Sequence, residues 1–251
     1  MLDISIISVL MNNEDTLIKM KNSVLNQTFQ QYEHIFCLSN KSSDNTIKLV
    51  KNFKSNKNLI FFESDNTKNK FDALNQAIKK SKGRYIILLH GDDYFIDDEV
   101  LNNIFISLKK YQNYSIYYAD INYINIYQKV VREWKSPNED KLKLSNIWKV
   151  AHTGLIIDKY KIDDDDLLYN TDYDISGDFL YLLNLIDKYP RQFKKINLIS
   201  TNMLNTGDSS NLGNLKKQFI EDFIILKKYF SFIEVLLIIF LKKYSKILQY
   251  F

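Results

Sequence analysis

Four short apolar runs, each followed by residues at helical spacing, limit what the first 110 residues can build. Ile4-Ser5-Ile6-Ile7-Ser8-Val9-Leu10 is a β-branched run ending at Asn12-Asn13, and behind it Leu17, Met20 and Val24 recur with the period of a helix. Tyr32 to Leu38 is the second run, followed by Ser42-Ser43-Asp44 and then Ile47, Leu49 and Val50. Leu59 to Phe62 is the third; the spacing predicts a helix over Phe71 to Lys80, with Gly83 as its terminating C′ residue. Tyr85 to Leu89 is apolar on both faces, as a central parallel strand must be. Such alternation predicts an α/β fold, an open, doubly wound, mostly parallel sheet. With 6 Gly and 2 Pro, the chain lacks the turn residues that propellers and many-hairpin barrels need.

After residue 110 the rhythm loosens. Ser115 to Ala119, Ile121 to Ile126 and Lys129 to Trp134 read as strands with short connections, Gly177 to Lys188 as a buried helix, Ile196 to Ser200 as a late strand, and Leu212 onward as helix. The expected organisation is one domain over 1–215, with a nucleotide-binding half (1–110) and a mixed, acceptor-side half (111–215), then a helical segment over 216–251. Within that segment Val235 to Leu241 is too short to cross a bilayer core of about 30 Å. Two readings of it stay open. One is a helix packed across the domain; the other is an interfacial helix whose aromatic and Lys flanks meet an anionic membrane surface.

The single cysteine, Cys37, and the absence of a charged-then-apolar leader predict a cytoplasmic address. A net charge of +4 is too mild to argue for nucleic acid. His34, His90 and His152 have no paired metal-ligand spacing, and neither a Walker loop nor a G-x-G-x-x-G is present, so zinc enzymes, kinases and dehydrogenases lose their main support.

In open α/β sheets ligands bind beyond the carboxyl ends of the strands, which draws attention to His90-Gly91-Asp92-Asp93. Two adjacent carboxylates there can share Mg²⁺ or Mn²⁺ with diphosphate oxygens, or can serve as acidic caps for the helix that follows. Asp178, behind Ser176-Gly177, opens an apolar helix: either a fixed general base or an acid facing the helix macrodipole. Ser42-Ser43-Asp44-Asn45-Thr46 follows a strand and either contacts a nucleotide or caps a helix.

Taken in order, five stretches resemble the family 2 glycosyltransferases of GT-A fold: Ser5-Ile6-Ile7 through Asn12-Asn13-Glu14; Ser23-Val24-Leu25-Asn26-Gln27-Thr28; Ser42 to Thr46; Phe71-Asp72-Ala73-Leu74-Asn75-Gln76-Ala77 leading into Gly83; and Gly91-Asp92-Asp93-Tyr94-Phe95. The resemblance covers about the first 210 residues. It implies an inverting, metal-dependent transfer of a sugar from a nucleotide-diphosphate donor, a UDP-sugar by preference, to an acceptor hydroxyl in surface polysaccharide or lipooligosaccharide assembly. Asp92 and Asp93 then stand at the metal motif, with Mn²⁺ or Mg²⁺ as cofactor, and Asp178 looks like the catalytic base. His152-Thr153-Gly154-Leu155 resembles the His-containing strand on the acceptor side, and Thr206 to Ser210 the late Gly-Ser loop. Asn12 and Asn40 are carried over as base contacts, Asp72 and Asn75 as ribose or donor-sugar contacts. Partners so implied are a nucleotide sugar, a lipid-linked or glycan acceptor and the cytoplasmic face of the inner membrane. Departures occur at Val9-Leu10-Met11, at Ser39-Asn40, where relatives carry an Asp toward the base, and at His90. A rival reading is a degenerate scaffold of the same fold in a membrane-surface assembly.

Overall fold

The first four apolar runs become β1 (Ile4–Leu10), β2 (Tyr32–Leu38), β3 (Leu59–Glu63) and β4 (Tyr85–Leu88), joined through α1 (Leu17–Leu25), α2 (Thr46–Lys51) and α3 (Lys70–Lys80). The computed structural model describes residues 2–53, 58–64, 67–205 and 212–248. β1 pairs in parallel with β2 and β4, and β2 with β3, giving the order β3-β2-β1-β4. The direction of winding reverses between β1 and β4, so the loops leaving their carboxyl ends part and open a crevice.

The second half continues the same sheet with mixed polarity. It comprises β5 (Tyr94–Phe95), α4 (Val100–Lys110), β6 (Ile116–Ile124), β7 (Val130–Trp134), β8 (Leu155–Asp158), α5 (Gly177–Lys188), β9 (Phe193–Leu204), α6 (Leu212–Leu226) and α7 (Phe232–Leu248). β8 lies antiparallel between β4 and β6, β9 runs parallel to β6, and β5 pairs antiparallel with β9. Alternate residues of the central strands feed two cores. Ile7, Ile35, Ile86 and Tyr118 pack beneath α3, α5 and α7; Ile6, Phe36, Ile87 and Tyr117 pack beneath α1 and α4.

Three local expectations change. The two runs on either side of Asp120 form one strand, β6, whose register against β9 shifts at Asp120. That carboxylate accepts the Ser136 N–H at 2.8 Å and pairs with Lys195 at 3.0 Å, which offsets the cost of a polar residue in the strand. β9 begins before residue 196, where Lys194 and Lys195, which break the apolar pattern, find acidic partners in Glu139 and Asp120, and it continues to Leu204 by pairing with β6. Gly83 does not end α3. The helix stops at Ser81 in extended conformation, and no glycine among the described residues has positive φ. What Gly83 supplies is close approach: a Cβ there would lie 2.6 Å from the backbone of Ile4 and Ser5.

Candidate active site

The loop after β1 is clasped by the loop after β2. Asn12 sits at φ 56°, a left-handed conformation that Asn tolerates better than most residues. Its N–H donates to Ser42 Oγ at 2.8 Å, and its Oδ1 accepts from the Ser43 N–H at 2.8 Å. The Asn13 N–H meets Thr46 Oγ1, the Glu14 N–H meets Asp44 Oδ2, and Glu14 in turn receives the backbone and side-chain N–H groups of Asn45. Ser42 to Thr46 therefore fixes the shape of the first loop. Although its slight burial opposes ionisation, Asp44 is held below the usual carboxylate range by the Thr46 hydroxyl and the amides of Thr46 and Glu14. Asn40 is exposed in the turn after β2, beside the end of β1, where the Ser39 N–H bonds Leu10 O at 2.9 Å.

The two sides of the crevice meet at Gly91. A Cβ on Gly91 would fall 2.4 Å from the Asn13 side chain, and Thr16 Oγ1 donates to Gly91 O at 2.7 Å. This contact lies at the turn in which the Asp93 N–H bonds His90 O at 3.1 Å. Asp92 is half-buried. Asp93 is 1% exposed, and neither of its oxygens makes a hydrogen bond of normal geometry. Burial, reinforced by the charge of Asp92, pushes the Asp93 carboxyl well above its ordinary range. Among the described residues no group of three His, Cys, Asp or Glu side chains is placed to hold a cation unaided. The residues present do fit a shared one. Asp92 is half-buried at the strand end, and the Asp93 carboxyl beside it, almost fully buried with only backbone groups of His90 and Leu204 to offset its burial, is the kind of acid that a neighbouring cation relieves.

Across the crevice, His152 occupies a 3-10 turn (His152–Gly154) leading into β8, where a strand was expected. The turn packs closely on β6 because residue 154 is Gly, where a Cβ would meet Ala119 O at 2.4 Å. His152 Nε2 shares a 2.7 Å hydrogen bond with the Tyr169 hydroxyl, and the Tyr169 ring stacks on Tyr181 with centroids 4.1 Å apart. Burial lowers His152 to about 4, so the ring is neutral at physiological pH. His90 stands between the two sides: its ring stacks on His152 at 6.2 Å, and burial lowers its pKa against the opposing pull of Asp92 and Asp178.

Asp178 lies in the first turn of α5, its Oδ1 accepting the Phe179 N–H at 2.8 Å. Burial opposes its ionisation, but His152, which attracts it only when protonated in acid, together with Lys70 and Lys242, outweighs that and brings the carboxyl below its usual range. Gly177 is small because Phe71 lies against it, with a Cβ there 2.6 Å from the ring. The other carry-overs stand nearby on α3. Asp72 closes the first turn by accepting the Lys68 N–H, while Asn69 caps the helix and donates to Thr171 O, Tyr173 O and Asp174 Oδ1. Asn75 uses both ends of its carboxamide on the Tyr169 backbone. Asn69 was readable as a cap before an apolar helix. Tyr169 and Lys70 carried no such sign, since only the fold brings them to His152 and Asp178. Thr206 to Ser210 lies outside the described residues.

Comparison with known proteins decides the family. The profile of Glycosyl transferase family 2 matches residues 5–189, a region that contains Asn12, Asp92, Asp93, His152 and Asp178. This chain is a family 2 glycosyltransferase. It is 28% identical over 204 residues to UDP-Glc:alpha-D-GlcNAc-diphosphoundecaprenol beta-1,3-glucosyltransferase WfaP of Escherichia coli, covering 79% of this chain and 75% of WfaP. Its fold is that of S. aureus TarS 1-349 in complex with UDP, at TM-score 0.69 and 15% identity over 89% of this chain and 64% of the other. It is also that of the mannosyltransferase PcManGT from Pyrobaculum calidifontis in complex with GDP-Man and Mn²⁺, at TM-score 0.63 and 13% identity, covering 90% and 63%. The chain thus spans a little less than two thirds of either solved neighbour, and the sheet is that of a GT-A glycosyltransferase.

Proposed function

We propose that this glycosyltransferase moves a sugar from a UDP-sugar to a hydroxyl of a lipid-linked, diphosphate-bearing glycan acceptor, with inversion and with Mg²⁺ or Mn²⁺, at the cytoplasmic face of the membrane. The observation that carries the reading is a pair of acids brought together around His90: Asp92 after β4 and an ionised Asp178 at the start of α5, both within its electrostatic reach. An acceptor hydroxyl placed beside Asp178 loses its proton to that carboxylate as its oxygen forms the bond to the anomeric carbon. On the opposite face the bond from that carbon to the diphosphate oxygen breaks, and the electron pair leaves with UDP. Because the carboxyl is held below its usual range, the base is ready at neutral pH, and the proton moves late, as the attacking oxygen becomes acidic. A divalent cation held by Asp92, with Asp93 behind it, would supply charge neutralisation of the departing diphosphate. His152, neutral and fixed by Tyr169, borders the acceptor side without adding charge.

The donor and acceptor classes follow WfaP and the UDP complex of TarS; PcManGT keeps a guanine donor in view. For the base, Asn40 stands exposed beside the end of β1, while Asn12 has its side-chain oxygen on Ser43. Asp72 lies nearest to open solvent of the α3 pair and is the better sugar contact, because Asn75 is engaged with Tyr169.

The membrane reading rests on α6 and α7. Val235, Ile238 and Ile239 of α7 are buried in the core, whereas Ile233, Leu236, Leu237, Phe240 and Leu241 point outward. Leu215, Phe219, Ile220 and Ile224 of α6 are also exposed, with Lys216, Lys227, Lys228 and Lys243 around them. No helix among the described residues is long and apolar enough to cross a membrane. An apolar stripe bordered by lysines is suited to lie on an anionic leaflet, each Lys adding about 1 kcal/mol.

Calorimetry of UDP with and without Mn²⁺ tests the donor side. Wild type should bind UDP more tightly with the cation, and Asp92→Ala should lose that gain while remaining folded. Equal Mn²⁺ enhancement in the variant would remove Asp92 from the site.

A further inference from the structure

Glu221 of α6 lies beyond the region the family profile matches, is 8% exposed, and spends its carboxylate on three consecutive backbone amides. Oε1 accepts from the Asp174 N–H at 3.1 Å; Oε2 accepts from Ile175 at 3.0 Å and Ser176 at 2.7 Å. These are the last amides before α5, whose second residue is Asp178. The same loop is gripped twice more: Lys217 of α6 pairs with Asp174, and Asn69 donates to Asp174 at 2.9 Å. From α7, Lys242 bonds Asp222 at 2.8 Å and lies 4.0 Å over the ring of Phe179, the residue after Asp178. Contacts from two C-terminal helices thus converge on residues 174–179. Three converging N–H groups require an anion to satisfy them together, and a Gln would present one acceptor oxygen and turn an NH₂ against the rest.

We propose that α6 and α7 brace the catalytic base, with Glu221 and Lys242 as positioning residues that fix the backbone and the charge of Asp178. The proposal rests on Asp178 being the base. Glu221 does so by holding the turn from which α5 starts, and Lys242 by placing a cation against the first turn. The charged and titratable groups facing Asp178 are His152, from the turn before β8, Lys70, from α3, and Lys242, from α7, whose charge is shared with its ion-pair partner Asp222 of α6, with His90 and Tyr169 at the margin.

Glu221→Gln, Lys242→Met and Lys242→Arg in the full chain test it. In Glu221→Gln, hydrogen exchange at the amides of 174–176 should accelerate at least tenfold, and kcat should fall about tenfold or more while donor KM and UDP affinity stay within twofold. In Lys242→Met, removing a cation raises the Asp178 pKa, so the acid limb of the kcat profile and the NMR titration of the Asp178 carboxyl should both move to higher pH. Lys242→Arg should restore them. Unchanged exchange in Glu221→Gln, a parallel loss of kcat and UDP affinity, or an unmoved carboxyl titration in Lys242→Met would each overturn the brace. If wild type transfers nothing from UDP-glucose, UDP-N-acetylglucosamine or GDP-mannose, the reading of the reaction fails instead, and exchange and carboxyl titration still decide the brace.

Discussion

Replacing Asn75 with Ala separates two roles that one residue of α3 has been given. The resemblance makes Asn75 a donor contact, whereas the structure has its Nδ2 donating to Tyr169 O at 2.8 Å and its Oδ1 accepting from the Tyr169 N–H at 2.7 Å, with the side chain 9% exposed. Truncation leaves a buried carbonyl and a buried amide without partners. Each such group costs about 1 to 3 kcal/mol, so the pair costs about 2 to 6 kcal/mol. For a chain of this size each kcal/mol lowers Tm by about 2 to 4 °C, and a fall of at least about 4 °C is expected in thermal unfolding. The damage should reach the crevice, because Tyr169 stacks on Phe71 and Tyr181 and bonds His152. In the same samples, calorimetry should find UDP affinity within about twofold of wild type. An unchanged Tm with UDP-sugar affinity lowered tenfold or more would refute the bracing argument and return Asn75 to the donor.

Two further outcomes follow from burial. His34 is 3% exposed beside Ser8 and is lowered by burial to about 3 from an ordinary 6.5, so the unfolded chain takes up the proton first. Its contribution is intact above pH 6.5 and is lost as pH falls toward 3, by roughly 5 kcal/mol in full. His34→Gln should therefore flatten the loss of denaturant stability between pH 7 and 4, and an acid slope identical to wild type would contradict this. On the outer face of α7, Leu237 and Phe240 are 56% and 62% exposed. Changing both to Asp should leave Tm within about 2 °C and abolish flotation with phosphatidylglycerol vesicles at low salt, while vesicle binding equal to wild type would exclude that face.

The parallel half was legible because β1, β2 and β4 are buried almost throughout and read as continuous apolar runs, as Tyr85 to Leu88 shows, and the edge strand β3 keeps an apolar run although Ile60 and Phe61 are exposed. β9 was half-hidden, since Lys194 and Lys195 look like the end of a strand until Glu139 and Asp120 are brought beside them. In the candidate site, Asp92 and Asp178 drew attention because each sits at a readable local signal, a strand end and a helix start, while a capping or macrodipole role stayed open for both. Their neighbours could not. Lys70, Tyr169, Glu221 and Lys242 act over separations that no local pattern encodes. The tail divided along the same line: composition revealed too many apolar side chains for one packed face, but only the fold assigned Val235, Ile238 and Ile239 to the core and Leu236, Leu237 and Phe240 to the surface.

In the proposed reaction Asp178 deprotonates an acceptor hydroxyl that attacks opposite the leaving diphosphate. This step is tested most directly by the anomeric configuration of the product formed from a UDP-α-sugar on a synthetic N-acetylglucosaminyl diphospholipid, read by NMR for wild type and Asp178→Asn. Wild type should give a β-linked product, and Asp178→Asn the same linkage formed at least about 10²-fold more slowly with UDP binding retained. An α-linked product, or a wild-type rate in Asp178→Asn, would contradict it.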